Sequence, residues 1–170
     1  MPDEIINKVA NSKLVSLDLE DYYPKGERVL IDIKYWLFQE QVLIEKEYRR
    51  SLSEQDWTVY QNKFVAITCS TDAIIPSWAY LLITVHLAPY AKKIVVGDLE
   101  QLETLLFEEV ISKINIEEFA GKPVIIKGCS EKFIPHAAYS LLIQKLQPVV
   151  SSLMYGEACS SVPLYKRIKT

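Results

Sequence analysis

The sequence predicts an α/β fold: a mainly parallel sheet built from two repeated βαβ units, with an N-terminal β-hairpin. Three observations carry that prediction. Phe64–Asp98 and Pro123–Glu157 match each other at an offset of 59 residues. Inside each copy, apolar runs and proline positions spell strand, helix, strand. Upstream of both copies, two β-prone runs flank a stretch of turn residues.

The N-terminal runs come first in the chain. Leu14–Leu19 alternates apolar and polar residues, and Arg28–Ile33 is a second β-prone run. Tyr23–Pro24–Lys25–Gly26 lies between them as turn chemistry, so a hairpin over a sheet edge is expected. Trp36, Leu37 and Phe38 read as core. A helix follows over about Glu45–Ser53.

The register of the repeat is specific. Val65 meets Val124, and Ile75–Pro76 meets Ile134–Pro135. Ala79–Tyr80 meets Ala138–Tyr139, Pro89 meets Pro148, and Gly97 meets Gly156. Each copy also carries a Cys–Ser pair, shifted by one residue between copies: Cys69–Ser70 and Cys129–Ser130. Two proline pairs and a glycine in one register point to an internal repeat. Phe64–Thr68 and Val124–Lys127 read as buried strands. Pro76 and Pro135 are expected at the first helical position of helices that end by Pro89 and Pro148. Ile94–Val96 and Leu153–Tyr155 read as second strands, so each unit is a parallel βαβ crossover. Asp98 is placed to cap a linking helix, Leu99–Ile114, with Leu102, Leu105, Leu106, Val110 and Ile111 on its apolar stripe. Residues 1–170 read as a single domain. An N-terminal β region covers 1–44, the repeats cover 45–98 and 99–157, and a C-terminal tail covers 158–170.

Composition narrows the function. The chain has 170 residues, 49% of them hydrophobic and 24% charged, with a net charge of −3. That is the profile of one soluble globular domain. Nucleic acid is not an expected partner, because phosphate backbones demand a basic stripe and only Lys166, Arg167 and Lys169 cluster. Ala73–Ala91 is free of formal charge, but prolines leave only about 13 helical residues, roughly 20 Å, too short for a bilayer. A buried helix is expected there, and no membrane partner. Met1–Ala10 contains acids and no apolar leader core, so a cytoplasmic, reducing setting is expected.

The three cysteines are the candidate chemistry. In a parallel sheet, ligands gather at the carboxyl ends of strands. Cys69 and Cys129 follow the first strands of their copies, and Cys159 follows the second strand of copy two. All three are expected on one rim, each followed by Ser in a polar turn. Three thiolates could hold an iron–sulfur cluster or zinc. Asp72 and His136 are the nearest candidate further ligands. Asp98, Glu100 and Glu157 are weaker ones, with Asp98 and Glu157 better read as caps. A single reactive thiol, with Cys129 or Cys69 as nucleophile and His136 as base, remains an alternative, as in sulfur transfer. So does a binding scaffold whose cysteines are inert. No C-x-x-C pair, Gly-rich phosphate loop, H-E-x-x-H or G-x-S-x-G occurs.

The wording of the chain also carries a resemblance. "EIINKVANSKLVSLDLEDYYP", "TCSTDAIIPSWAY", "YAKKIVVGDLE", "VIIKGCSEK" and "LQPVVSSLMYGEACSSVPLYKR" resemble a bacterial domain-of-unknown-function family, number 2480. The resemblance spans nearly the whole chain and implies no established activity. It associates the chain with Suf-type iron–sulfur assembly, and so with assembly proteins as partners. Single cysteines on repeated α/β units also resemble, in arrangement alone, quinolinate synthase, which has three repeats around its cluster. Only two repeats are visible here, so a closed cavity would call for a homodimer.

Overall fold

The computed structural model describes residues 13–168. The Met1–Ala10 stretch and Lys169, both used in the sequence reading, lie outside the described residues. In chain order the strands and helices are β1 (Val15–Leu17), β2 (Arg28–Asp32), α1 (Glu45–Glu54), β3 (Phe64–Thr68), α2 (Ser77–Leu87), β4 (Lys93–Val96), α3 (Leu99–Lys113), β5 (Pro123–Ile126), α4 (His136–Leu146), β6 (Ser152–Glu157) and β7 (Ser160–Lys166). Short 3-10 turns join several of them.

The fold is mixed α/β, with two sheets where one was expected. The chain divides into two compact units: Lys25–Leu105, and a discontinuous unit made of the segments up to Pro24 and from Leu106 on. The boundary falls inside α3.

The Lys25–Leu105 unit holds a sheet ordered β2-β3-β4, parallel throughout. Its central strand explains the order. Val65, Ala66 and Ile67 are fully buried, and a strand apolar on both faces belongs in the middle of a parallel sheet. The strand–helix–strand run β3–α2–β4 pairs Phe64 with Lys93 and Ile67 with Val96. Helix α2 buries Ala79, Ile83 and Leu87, one residue every four along a single stripe. It is not buried all round, because Leu81 and Val85 are exposed. Helix α1 buries Tyr48 and Leu52, and the Tyr48 hydroxyl donates to the Ala79 carbonyl at 2.9 Å, so its polar end is satisfied inside the core. Trp57 Nε1–H donates to the Leu52 carbonyl at 2.9 Å. Arg28 and the buried Glu103 form a two-point ion pair, Nε to Oε1 and Nη2 to Oε2, the second at 3.1 Å. Of the three residues expected in the core after β2, Leu37 is buried but Phe38 is exposed.

The discontinuous unit holds a sheet ordered β1-β5-β6-β7, parallel except for β7. The run β5–α4–β6 is again strand, helix, strand, pairing Pro123 with Ser152 and Ile126 with Tyr155. Ala138, Leu142 and Leu146 of α4 pack into a core with Leu17, Val124 and Ile126. Asp98 caps α3 as expected. The Asp98 carboxylate accepts from Gln101 N at 2.8 Å, and the Gln101 amide oxygen accepts from Asp98 N at 2.9 Å, a reciprocal capping box. Its stripe differs from the expected one: Leu105 is exposed and Phe107 is fully buried.

Three further expectations are corrected. The N-terminal hairpin does not form. β1 pairs in parallel with β5, and β2 in parallel with β3. The segment between them is a crossing from one unit to the other. Tyr23 packs edge-on against Phe107 at 5.8 Å in one unit, while Gly26 sits at φ +150° against Phe64 in the other. A Cβ at Gly26 would approach the Phe64 ring to 2.6 Å. Alternation marks a half-buried strand but not its partner, and an edge strand of a parallel sheet alternates just as well. Secondly, the region expected as a C-terminal tail contains a strand. Ser160–Lys166 is β7, returned antiparallel onto β6 through a two-residue turn, Ala158–Cys159. Pro163 fits there because β7 is an edge strand. Thirdly, Pro76 and Pro135 sit at the N-cap, one residue before the helices begin, with extended ψ of 146° and 147°.

Among the described residues, no helix is long and apolar enough to cross a membrane.

Candidate functional site

Each sheet ends in a loop that carries a cysteine and a serine, and an aspartate that ends or follows the neighbouring strand stands beside it. In the Lys25–Leu105 unit, Asp32 closes β2 in register with Thr68, the residue before Cys69. Asp32 caps the 3-10 turn Ile33–Trp36, its Oδ1 accepting from Lys34 N at 3.1 Å. The same oxygen accepts from Ser70 N at 3.2 Å, which ties the cysteine loop to the end of β2. Burial pushes the Asp32 carboxyl up. Hydrogen bonds from the Ser70 side chain and from Lys34 N and Ser70 N, with the Lys34 charge, outweigh it and hold the group below its ordinary value. Cys69 is half-buried, with Sγ 3.4 Å from Thr71 Oγ1 and 3.8 Å from the Thr71 carbonyl. Tyr80 of α2 faces this group: burial, and then the charges of Cys69 and Asp32, push its hydroxyl up.

The discontinuous unit builds a comparable loop. Asp18, directly after β1, caps the 3-10 turn Leu19–Tyr22 by accepting from Glu20 N at 2.9 Å. Lys127 N donates to the Leu17 carbonyl at 2.9 Å, and Lys127 Nζ lies 3.8 Å from Asp18 Oδ2. The cysteine loop is held by Glu131 N donating to Glu20 Oε2 at 3.0 Å and by Ser130 Oγ donating to the Lys132 carbonyl at 2.7 Å. Tyr139 of α4 is the counterpart of Tyr80. Burial, then Tyr155, Asp18 and Cys129, push its hydroxyl up against a hydrogen bond from Ser130.

Cys129 and Cys159 belong to this one unit. Cys129 follows β5, and Cys159 is the second turn residue after β6. Because β5 and β6 are parallel neighbours, both thiols stand at the carboxyl ends of adjacent strands, and both are exposed. The Tyr155 hydroxyl, 3.5 Å from the Gly128 carbonyl, bridges the two strand ends. Cys69 stands at the corresponding position of the other sheet. His136 is the exposed first residue of α4. Asp72 is exposed and lines an open cleft of about 570 Å³ with Gln41, Glu45 and Trp78. Glu157 ends β6 and Glu100 lies in the first turn of α3. Thiols are soft donors suited to iron–sulfur or zinc. Among the described residues, no three His, Cys, Asp or Glu side chains are grouped to hold a metal ion.

Asp18, Asp32, Tyr80 and Tyr139 were not singled out by the motif reading. A signal for the aspartates existed. Leu17–Asp18–Leu19 and Ile31–Asp32–Ile33 are the same apolar–Asp–apolar phrase at the ends of two strands. The tyrosines sit in the Ala–Tyr pairs that match across the sequence, where they read only as register markers.

Residues 3–167 match the protein family described as a protein of unknown function, DUF2480. Neither a curated protein nor a solved structure matches. With the match running over nearly the full length, the chain belongs to the DUF2480 family.

Proposed function

We propose that this chain is a thiol protein that binds a soft metal, as an iron–sulfur cluster or as zinc, in support of iron–sulfur assembly. The observation that carries the reading is the placement of Cys129 and Cys159, exposed and unpaired at the carboxyl ends of adjacent parallel strands. Metal and cluster sites take three or four such ligands. A pair from each of two copies makes four, so a homodimer completes the set. Cys69 supplies a third thiol in each chain, next to the ionised Asp32, and His136 is the nitrogen donor that follows Cys129. Unpaired thiols suit a reducing, cytoplasmic setting.

The two units are also read as copies of one ancestral repeat. The support is their shared order: strand, Asp-capped 3-10 turn, helix, 3-10 turn, strand, Cys–Ser loop, proline, helix, strand. That order extends the sequence match upstream to β1 and β2.

Purification without oxygen, reconstitution with iron and sulfide or with zinc, and metal counting test the function. Wild type is expected to retain metal in a dimer. Cys129→Ser and Cys159→Ser are each expected to lose most of it, because every lost thiolate opens the same shell. An equal loss in Cys69→Ser would show all three thiols acting as one set. Wild type with no metal above background overturns the reading. Persulfide acceptance that depends on one cysteine and on His136 would replace it with sulfur transfer.

A further inference from the structure

We propose that the Lys25–Leu105 unit carries a second site, a cleft that binds a small organic cation with a methylated ammonium head. The cleft lies at the carboxyl end of the edge strand β2 and measures about 290 Å³. Asp32, Tyr35, Trp36, Gln55 and Tyr60 line it, with Leu30 at its apolar side. The thiol reading shares only Asp32 with this cleft and uses none of its aromatic side chains, so the cation site is tested independently of metal binding.

The chemistry of the lining selects the ligand. Three of the side chains are aromatic, and their ring faces attract cations, best of all weakly hydrated ones such as quaternary ammonium. Two of the rings are held in place from behind. Trp36 and Tyr60 both pack against the buried Trp57, at 6.0 and 5.9 Å between ring centres. A wall fixed in advance does not have to be ordered when the ligand arrives. Asp32 supplies the only formal charge among the lining residues, and its hydrogen bonds to Lys34 N and Ser70 N keep the carboxylate in position. Gln55 donates one of its two amide N–H groups to the Asp56 carbonyl at 3.1 Å, and its amide oxygen is a further acceptor. An anionic ligand would meet the carboxylate. A neutral apolar one would strip water from it without compensation.

The chain already pairs a cation with these groups. Lys34 Nζ lies 5.0 Å from the centre of the Tyr35 ring and 4.0 Å from Asp32 Oδ2. A ring and a carboxylate that share an ammonium are the two elements of a cation cage. Lys34 also competes with a ligand for them. The volume suits a small head group.

Choline and Nε-trimethyl-lysine serve as probes, titrated into the full chain by calorimetry and by tryptophan fluorescence. Saturable binding of either supports the site, and the tighter of the two distinguishes a free small molecule from a modified side chain as the source. Asp32→Asn keeps a capping oxygen and the fold but loses the charge, and is expected to weaken binding about tenfold. Tyr35→Ala, at an exposed position, is expected to weaken it severalfold. Lys34→Gln is expected to bind at least as tightly as wild type. The neutral carbon analogue of choline, 3,3-dimethyl-1-butanol, is expected to bind at least about tenfold more weakly than choline. No saturable binding of either probe, equal binding of the neutral analogue, an unchanged affinity in folded Asp32→Asn, or loss of binding in Lys34→Gln would each overturn the proposal.

Discussion

Asp32 ends β2, caps the turn that follows, and holds the loop that carries Cys69. Its charge therefore links strand, turn and loop, and the linkage has a definite pH dependence. The folded protein holds this carboxyl below its ordinary 3.8, so the unfolded chain binds the proton more tightly. Stability then rises with pH through that window. The contribution is complete above the unfolded value and is lost as pH falls through the folded one. Thermal melts of wild type and Asp32→Asn should differ at neutral pH, with wild type the more stable, and converge as pH falls through the folded Asp32 value, below which both side chains are uncharged. A difference of the same size at both ends would assign the effect to hydrogen-bond geometry and not to charge. Arg28 and Glu103 make a contrasting case. Their ion pair is buried and two-pointed, so it demands both partners, and removing one strands a charge.

The helices show what an apolar pattern can and cannot specify. The uncharged stretch around α2 reads as a buried helix. The structure instead buries one stripe, Ala79, Ile83 and Leu87, and leaves Leu81 and Val85 exposed. The two faces are hard to tell apart in the sequence because both are apolar, and the moment that separates faces in an amphipathic helix is absent. Substitution separates them. Ile83→Ala should cost about 2–4 kcal/mol in urea denaturation, since the site is fully enclosed and closes poorly over a cavity. Leu81→Ala should stay within about 0.5 kcal/mol. Similar costs at both positions would mean that the outer face is covered in solution. Elements whose signal is local were legible in the same sequence: the prolines before α2 and α4, the Asp98 cap of α3, and the apolar runs of β3 and β5. Strand partners were not, because β1 and β2 satisfy the same alternation in a hairpin or at the edge of a parallel sheet. The cysteine positions at the strand ends were legible for the same local reason. The aspartates and tyrosines beside them come from other elements and needed the pairing to be known.

At the scale of the whole chain, the connectivity of the two units sets an order of events. In the Lys25–Leu105 unit, β2 meets β3 at a separation of 36 residues, Arg28 to Phe64, and β3 meets β4 at 29, Phe64 to Lys93. In the discontinuous unit, β5 meets β6 at 29 residues, Pro123 to Ser152, but β1 meets β5 at 109, Val15 to Val124. Closing a loop three times longer costs about 1 kcal/mol more in chain entropy, since the cost grows as 1.5 RT times the logarithm of length. β1 also offers little in return before the rest is formed. It is three residues long, an edge strand, and contributes only Leu17 as a buried side chain. Long-range pairing with a small reward should therefore come last. Two backbone hydrogen bonds report on it. Gly97 N donates to the Ile67 carbonyl at 2.9 Å within the β3–β4 pair, and Lys127 N donates to the Leu17 carbonyl at 2.9 Å only when β1 is docked. In pulsed hydrogen exchange during refolding, the Gly97 amide is expected to gain protection first and the Lys127 amide later. Simultaneous protection would make the two units fold as one cooperative body, and earlier protection of Lys127 would mean that β1 nucleates the discontinuous sheet instead of completing it.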